Sequence, residues 1–172
     1  MVWTDTGLRW VQTSPNIPNA MSPFYYAATG IAGNLAGLDL GIGTGAPFQR
    51  FVAPGLNAAA MSQQLSAAFP GIRFGAISPQ AGRSGVAIGI SPHASANLSA
   101  LNIYLMSDAY RANSRVLDRP RRDRDAILFK IYGSRAIDSQ LRSGTPPSRI
   151  VSSWDGSVAR FRSERSPFLL YP

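Results

Sequence analysis

Apolar residues recur at helical spacing in the middle of the chain. Between residues 57 and 69, Met61, Leu65 and Phe69 fall four residues apart and form one apolar stripe. This pattern predicts an amphipathic helix that the Pro-Gly pair at 70–71 ends. The stretch SANLSALNIYLMSDAYR at 95–111 is apolar nearly all round, which predicts a long helix buried on two sides.

Further helices are predicted near the start and in the last third. Ser22 is placed as an N-cap with Pro23 in the first helical position, and that helix should end near Gly30 or Gly33. In the last third, short helices are predicted around 127–131 and around 137–141, the second capped by Gly144. A third begins at Pro147, with a stripe formed by Ile150, Trp154, Val158 and Phe161. The apolar segment FLLYP at the C-terminus should dock as a short strand or packed extension.

Four segments show the alternation or turn boundaries of strands, at 7–13, 47–53, 71–78 and 85–91. The segment PQAGRS at 79–84 is predicted to be a flexible loop between the last two. Strands and helices mix without a regular βαβ alternation. We therefore predict a single α+β domain over residues 1–172, with a small mixed or antiparallel sheet covered by helices and a helical C-terminal third.

Composition limits the class of protein further. The 172 residues suffice for one domain with a core, and they contain no cysteine, which excludes disulfides and thiolate chemistry. No run approaches the roughly 20 apolar residues of a membrane span. Residues 1–13 lack the apolar region of a signal peptide. The compartment is left open.

The chain is strongly basic, with a net charge of +8 from sixteen Arg and one Lys against nine acids. Such a charge is typical of proteins that bind nucleic acid or another anionic polymer. The Arg bias fits codon usage in a GC-rich genome equally well, and we do not expect nucleic acid to be a partner. The Arg-rich run at 111–125 is predicted to be an exposed loop.

The chain offers few groups for catalysis. His93 is the one histidine, so neither a histidine-based metal site nor a catalytic triad is expected, and no cofactor is predicted. The GIGTG segment at 41–45 lacks the spacing of a phosphate loop. It is either a tight turn or a place where a ligand approaches the backbone. Asp39 stands alone as a candidate acid, whereas glycoside hydrolysis normally requires two carboxyl groups. These residues do not make a complete enzyme.

Five strings occur in a fixed order: GLRWVQTSPNIP from residue 7, YYAATG from 25, GIGTGAPFQRFVAPGLN from 41, GIRF from 71 and FLLY from 168. In this order they resemble the C-terminal region of one bacterial family, the NamZ-type exo-β-N-acetylmuramidases. These glycoside hydrolases are described as cell-wall recycling enzymes that release N-acetylmuramic acid from the ends of peptidoglycan fragments. The resemblance spans nearly the whole chain.

The resemblance implies that this chain corresponds to an auxiliary half of such an enzyme. Family members are about twice as long and carry the catalytic glutamate in an N-terminal Rossmann-like domain, within a motif similar to PEHG. That motif is missing here, and Glu164 matches nothing catalytic. We therefore expect a cleft-completing domain that does not cleave its substrate alone. The parent family is often periplasmic or secreted.

The resemblance also implies where sugar is bound. Relatives are thought to hold substrate in a cleft between two domains, and Ser14, Asn16, Gly43 and Thr44 match the motif positions that would face it. Ser14 and Asn16 could instead satisfy their own backbone in a turn between two prolines. Many relatives have a glycine turn similar to SEGRGTTRPF. Here Leu40, Ile42 and Ala46 replace its acidic residue and two arginines, so charged contacts at those positions are lost.

The expected partners follow from this assignment. They are an N-terminal catalytic domain and a peptidoglycan-derived sugar. The alternative is a non-catalytic binding module for cell-wall glycan or another anionic polymer. A chain without its partner domain should expose apolar surface near Trp10 and Tyr25, and we expect it to self-associate.

Overall fold

A computed structural model describes residues 2–35, 37–116 and 132–170. Its helices are α1 (Ser22–Thr29), α2 (Ala58–Ala68), α3 (Leu98–Ala112), α4 (Ala136–Arg142), α5 (Pro147–Ser152) and α6 (Asp155–Arg165). Its strands are β1 (Arg50–Pro54), β2 (Ile72–Gln80) and β3 (Arg83–Ile90). Short 3₁₀ turns span Trp3–Thr6, Gly30–Asn34, Ser114–Val116 and Ser166–Phe168. The α+β class and the helical C-terminal third are confirmed.

The three strands form an antiparallel sheet with β3 in the centre, in the order β1-β3-β2. The turn between β2 and β3 consists of Ala81 and Gly82, whose φ angles are 48° and 71°. Two successive left-handed residues give the turn whose twist matches a β-hairpin. The prediction of a flexible loop over 79–84 is therefore wrong, because both strands continue into that segment.

Two helices supply most of the core next to the sheet. The predicted stripe on α2 is confirmed, since Met61, Leu65 and Phe69 are all buried. An asparagine directly before each of α2 and α3 is its N-cap. The asparagine side chain accepts a hydrogen bond from the backbone N–H three residues later. The Phe69 and Tyr104 rings meet edge to face at 5.0 Å and join the two helices.

Two predictions near the N-terminus are wrong. Residues 7–13 form no strand, and the nearby pairing is limited to a bridge between Ser14 and Ile17. Alternation alone does not make a strand, which needs a neighbour with free backbone groups. The cap of α1 is Met21, and Ser22 is the first helical residue. The helix gives way to a 3₁₀ turn at Gly30, as predicted.

The C-terminal end of the chain does not pack as predicted. The helix that starts at Pro147 is interrupted at 153–154, and every residue from Asp155 to Leu170 is exposed. We call residues 155–170 the C-terminal arm. Phe168 and Leu170 are 82% and 90% exposed, so the predicted docking of the last residues is wrong over the described part of that segment. The predicted helix at 127–131 and most of the 111–125 run lie outside the described residues.

Apolar surface was expected near Trp10 and Tyr25, and Tyr25 itself does not contribute to it. Its ring is buried, and its hydroxyl accepts a hydrogen bond of 3.2 Å from the N–H of Ile90. Trp10 is half-buried and packs edge to face against Trp3, with ring centroids 5.7 Å apart. Apolar side chains next to them in sequence are exposed, with Leu8, Val11 and Tyr26 at 63%, 74% and 50%, and further apolar side chains are exposed along the C-terminal arm.

Thr29 gives a direct test of how α1 is fixed to the rest of the fold. Its buried hydroxyl lies 3.1 Å from the carbonyl oxygen of Tyr25 and 3.0 Å from that of Phe48. Thr29→Val keeps the shape but leaves the Phe48 carbonyl without its donor. We expect the free energy of unfolding to fall by about 1–3 kcal/mol, as measured by urea denaturation.

Thr29→Ser is the matched control, because it keeps the hydroxyl and shows the cost of the methyl group alone. Equal stability of the valine variant and the wild type would contradict a structural role for this hydroxyl.

Candidate functional site

The segment between the two N-terminal prolines is a closed turn, which we call the Pro turn (residues 14–18). The carbonyl of Ser14 accepts from the N–H of Ile17 at 2.9 Å, and the Ser14 hydroxyl oxygen accepts from the N–H of Asn16 at 3.2 Å. The indole of Trp10 donates to the Ile17 carbonyl at 3.3 Å. The local hydrogen bonding expected for a Pro-bounded turn is therefore present.

The second segment is the glycine loop (residues 39–49), which lies along the outer edge of β1. Asp39 and Val52 exchange both backbone hydrogen bonds, at 2.9 and 3.0 Å. The N–H of Phe48 donates to the Leu40 carbonyl at 2.7 Å and closes the loop. Phe48 has a φ of 66° and is buried, and its carbonyl accepts from Thr29. Both ends of the loop are thus fixed to the core.

Polar groups inside the glycine loop maintain its shape. The Thr44 hydroxyl donates to the Gly41 carbonyl at 2.6 Å and accepts from the N–H of Ala46 at 3.2 Å. The N–H of Gly41 donates to Asp39 Oδ1 at 2.8 Å. The Thr44 hydroxyl donates its one hydrogen within the loop, so it has no hydrogen left to donate to a ligand. Its main contribution is to the shape of the loop.

Asp39 is an ionised, paired carboxylate. Burial tends to raise its pKa, but the hydrogen bond from Gly41 and the guanidinium of Arg50 outweigh burial and hold the pKa below its usual value. Arg50 Nη2 lies 2.9 Å from Asp39 Oδ2, and Arg50 Nε lies 3.0 Å from Oδ1. Asp39 therefore lacks the raised pKa of a general acid, and its role is to support the glycine loop.

The four predicted sugar-binding residues lie in two separate turns. Among the described residues no hydrogen bond joins the Pro turn to the glycine loop. Within the same residues, the side-chain amide of Asn16 and the backbone N–H of Gly43 have no hydrogen-bond partner. The Ser14 hydroxyl accepts one bond and keeps its hydrogen. Nothing lies within 4 Å of the place a Cβ would take at Gly43, so a ligand can approach that backbone closely.

The tip of the glycine loop carries no charge. Ile42 and Ala46, which stand where many relatives would have arginine, are exposed, and Ile42 is 50% exposed. Leu40, at the position of the acid, is buried. A ligand at this loop therefore meets backbone groups and neutral side chains.

Asp108 is the titratable group that the sequence analysis missed. It borders a small cavity of about 250 Å³ between α2 and α3, beside Gln64 and Arg111. Burial raises the pKa of Asp108 to about 6, although Arg111 and a hydrogen bond with Gln64 lower it in part. Its Oδ2 atom has no partner among the described residues. An acidic residue within an almost entirely apolar helix pattern was the available signal.

Other ionisable groups lie apart from these turns. His93 is at the surface, with Nε2 3.4 Å from Asp5 Oδ1, and Glu164 is exposed on the C-terminal arm. Across residues 2–35, 37–116 and 132–170, no three His, Cys, Asp or Glu side chains come close enough to hold a metal ion. The helices of that same part of the chain are all too short or too polar to cross a membrane.

The fold is that of a small α+β domain. Its candidate site consists of two turns, one bounded by prolines and one rich in glycine, whose tips carry no charge. The family model described as "Exo-beta-N-acetylmuramidase NamZ, C-terminal" matches residues 24–171. The chain therefore belongs to the NamZ C-terminal domain family. This confirms the resemblance stated from the sequence motifs.

Two known proteins resemble the chain over its whole length. The peptidoglycan β-N-acetylmuramidase NamZ of Bacillus subtilis is 26% identical over 184 residues, which cover 99% of this chain and 42% of that protein. A crystal structure of a DUF1343 family protein from Bacteroides fragilis is 27% identical with a TM-score of 0.83, covering 100% of this chain and 48% of that one. The chain thus spans less than half the length of either relative.

Two glycines of the loop give a matched pair of substitutions. Both have left-handed backbone, with φ of 77° at Gly41 and 81° at Gly43. A Cβ at Gly41 would lie 2.6 Å from the Ala46 carbonyl oxygen, whereas one at Gly43 meets open space. We expect Gly41→Ala to lower the free energy of unfolding by about 2–4 kcal/mol and Gly43→Ala by about 1 kcal/mol. Thermal denaturation measures both, and equal losses would contradict the described packing of the loop.

Asp108 predicts a pH dependence of stability. Its pKa is about 6 in the folded chain against the usual 3.8 of an aspartate side chain, so the folded state binds the proton more tightly. The free energy of unfolding contributed by Asp108 therefore falls as the pH rises from about 4 to about 6 and is constant above. With allowance for partial exposure, Asp108→Asn should gain about 1–2 kcal/mol relative to wild type across that window.

Urea denaturation at a series of pH values measures this difference. Gln63→Ala, which removes an exposed amide of α2 and no ionisable group, serves as the control and should follow the wild-type profile. A wild-type minus Asp108→Asn difference that does not change with pH would show that Asp108 titrates normally.

Proposed function

We propose that this domain completes the substrate cleft of a peptidoglycan-fragment glycosidase of the exo-β-N-acetylmuramidase type, and that it does not cleave the glycosidic bond alone. Its partner is the N-terminal Rossmann-like catalytic domain that the family resemblance implies. Its ligand is a peptidoglycan-derived sugar, positioned by Ser14, Asn16, Gly43 and Thr44.

One observation carries the proposal. The Asn16 amide, the Gly43 N–H and the hydrogen of the Ser14 hydroxyl remain available on two rigid turns, within the described part of the chain. Amide and hydroxyl groups are suited to the hydroxyl and N-acetyl groups of a sugar. Because both turns are held by their own hydrogen bonds, little conformational entropy is lost when a ligand binds.

The described carboxylates support a role without bond cleavage. A glycosidase normally needs two carboxyl groups on either side of the scissile bond. Asp39 is held ionised by Arg50, Glu164 is exposed on the arm, and Asp108 borders a separate cavity. None of these three provides the required pair.

The exposed C-terminal arm supports the need for a partner domain. Phe161, Phe168 and Leu169 are 60%, 82% and 50% exposed, and apolar surface of this kind is typical of a binding interface. As part of the same proposal, the catalytic domain covers the end of the arm from Phe161 onward, and the chain without it self-associates.

Mixing with a NamZ-type catalytic domain tests the proposal. The chain alone should not hydrolyse a chromogenic N-acetylmuramide, whereas the mixture should hydrolyse it. In size-exclusion chromatography with light scattering, the mixture should elute with the mass of a complex. Asn16→Ala should lower kcat/KM of the mixture about fivefold to tenfold, since one hydrogen bond to the sugar is lost. Gln63→Ala, at an exposed amide on α2, is the control and should leave kcat/KM unchanged.

Hydrolysis by the purified chain alone would sink this proposal. The second candidate is a non-catalytic module for cell-wall glycan or another anionic polymer, and it rests on the net charge of +8. It is favoured if the mixture stays inactive while the chain binds such a polymer with an affinity that falls steeply with salt.

A further inference from the structure

A second concave site lies on the helical side of the domain, among residues that belong to neither turn. It is a groove of about 470 Å³, within the size range of small-molecule sites. We call it the helical groove. Its described lining includes Ile31, Ser99, Tyr132, Gln140, Trp154 and Val158. It shares no described lining residue with the Pro turn or the glycine loop.

Two aromatic side chains border the helical groove. Trp154 and Tyr132 are half-buried, and both pack against the hydrophobic core on one side. The backbone at Trp154 is fixed by a hydrogen bond to the Val151 carbonyl at 3.0 Å and by one from Val158 at 2.9 Å. A half-buried indole with a fixed backbone provides a flat apolar surface at low entropic cost.

The polar groups of the groove are neutral. Within the described residues, neither the Gln140 side-chain amide nor the Ser99 hydroxyl has a hydrogen-bond partner. The Tyr132 hydroxyl donates to Asn102 Oδ1 at 3.1 Å and keeps its capacity to accept. Burial raises the pKa of Tyr132, so its phenol stays neutral. No Asp, Glu, Lys, Arg or His is among the described lining residues.

Together these features fit an uncharged sugar better than an anion or a lipid. The apolar face of a pyranose ring can lie on an indole, while amide and hydroxyl groups bond to its rim. An anion would find no cation among the described lining residues. A lipid chain would leave the Gln140 amide and the Ser99 hydroxyl without partners.

We propose that the helical groove is a second saccharide-binding site that takes an uncharged N-acetylated pyranose of a glycan chain. It rests on the proposed function only in its choice of a glycan as the ligand. Trp154 and Tyr132 contact the sugar ring, and Gln140 and Ser99 bond to its N-acetyl and hydroxyl groups. The site would hold a longer glycan at a point distinct from the turns that face the cleft.

Titration of the full chain with the β-1,4-linked disaccharide of N-acetylglucosamine tests the groove. Calorimetry gives the affinity, and two-dimensional NMR follows the backbone N–H signals together with the indole N–H signals of all three tryptophans. We expect the Trp154 indole signal to shift on titration, and Gln140→Ala and Trp154→Ala to weaken binding about tenfold, which corresponds to about 1.4 kcal/mol. Trp3→Ala and Gln63→Ala, at exposed positions outside the groove, should bind as wild type.

Each other outcome decides against the groove or separates it from the proposed function. Because Trp154→Ala removes a ring that packs on the core, Gln140→Ala and the NMR shifts decide if that variant fails to fold. Undiminished binding by Gln140→Ala with shifts confined to residues 14–18 and 39–49 would overturn the groove and leave the proposed function intact. Absence of any binding would also overturn it. Binding in the groove with an inactive mixture would retain the groove and refute the proposed function.

Discussion

The backbone pairing of Asp39 with Val52 is the constraint on which the candidate site depends. Strand β1 is at one edge of the sheet, and its inner side is fully used by β3. The two hydrogen bonds to Asp39 occupy part of the outer side and place the glycine loop there. An edge strand normally presents free backbone groups, and here the loop covers some of them.

The same arrangement explains why the loop can present backbone groups to a ligand. Thr29 holds the Phe48 carbonyl, and Arg50 with the Gly41 N–H holds the Asp39 carboxylate. These side chains therefore form hydrogen bonds within the protein that stabilise the loop. What remains outward at the tip of the loop is neutral. In the proposed sugar site, specificity at this loop would therefore come from shape and hydrogen-bond geometry.

Local patterns predicted the elements whose burial is set by their own sequence. The α2 stripe, the β2 and β3 strands and the glycine that caps α4 were all readable, because each depends on residues within one element. The strand at 7–13 failed because pairing depends on a distant neighbour. The prediction that the C-terminal segment packs on the domain was wrong for a related reason. Its apolar residues indicate that a surface covers them, but they do not indicate which surface.

The site was predictable in part. Glycine spacing and the two prolines located both turns, and the structure adds which of their polar groups stay unbonded. The cavity beside Asp108 and the helical groove were not predicted, because residues from separate elements line each of them. Tyr132 and Trp154 are 22 residues apart in sequence and carry no shared motif. Only packing brings such residues to one cavity.

Gly85 connects the mechanics of the sheet to those of the glycine loop. A Cβ there would clash with the carbonyl group of Phe51, so β1 can lie this close to β3 only because residue 85 has no side chain. Since β1 has β3 on one side and the loop on the other, an opening fluctuation that separates β1 from β3 must carry the loop with it. We therefore expect the loop and the edge strand to open together as one cooperative unit of local unfolding, so that the sheet adds to the stability that the loop's own hydrogen bonds provide.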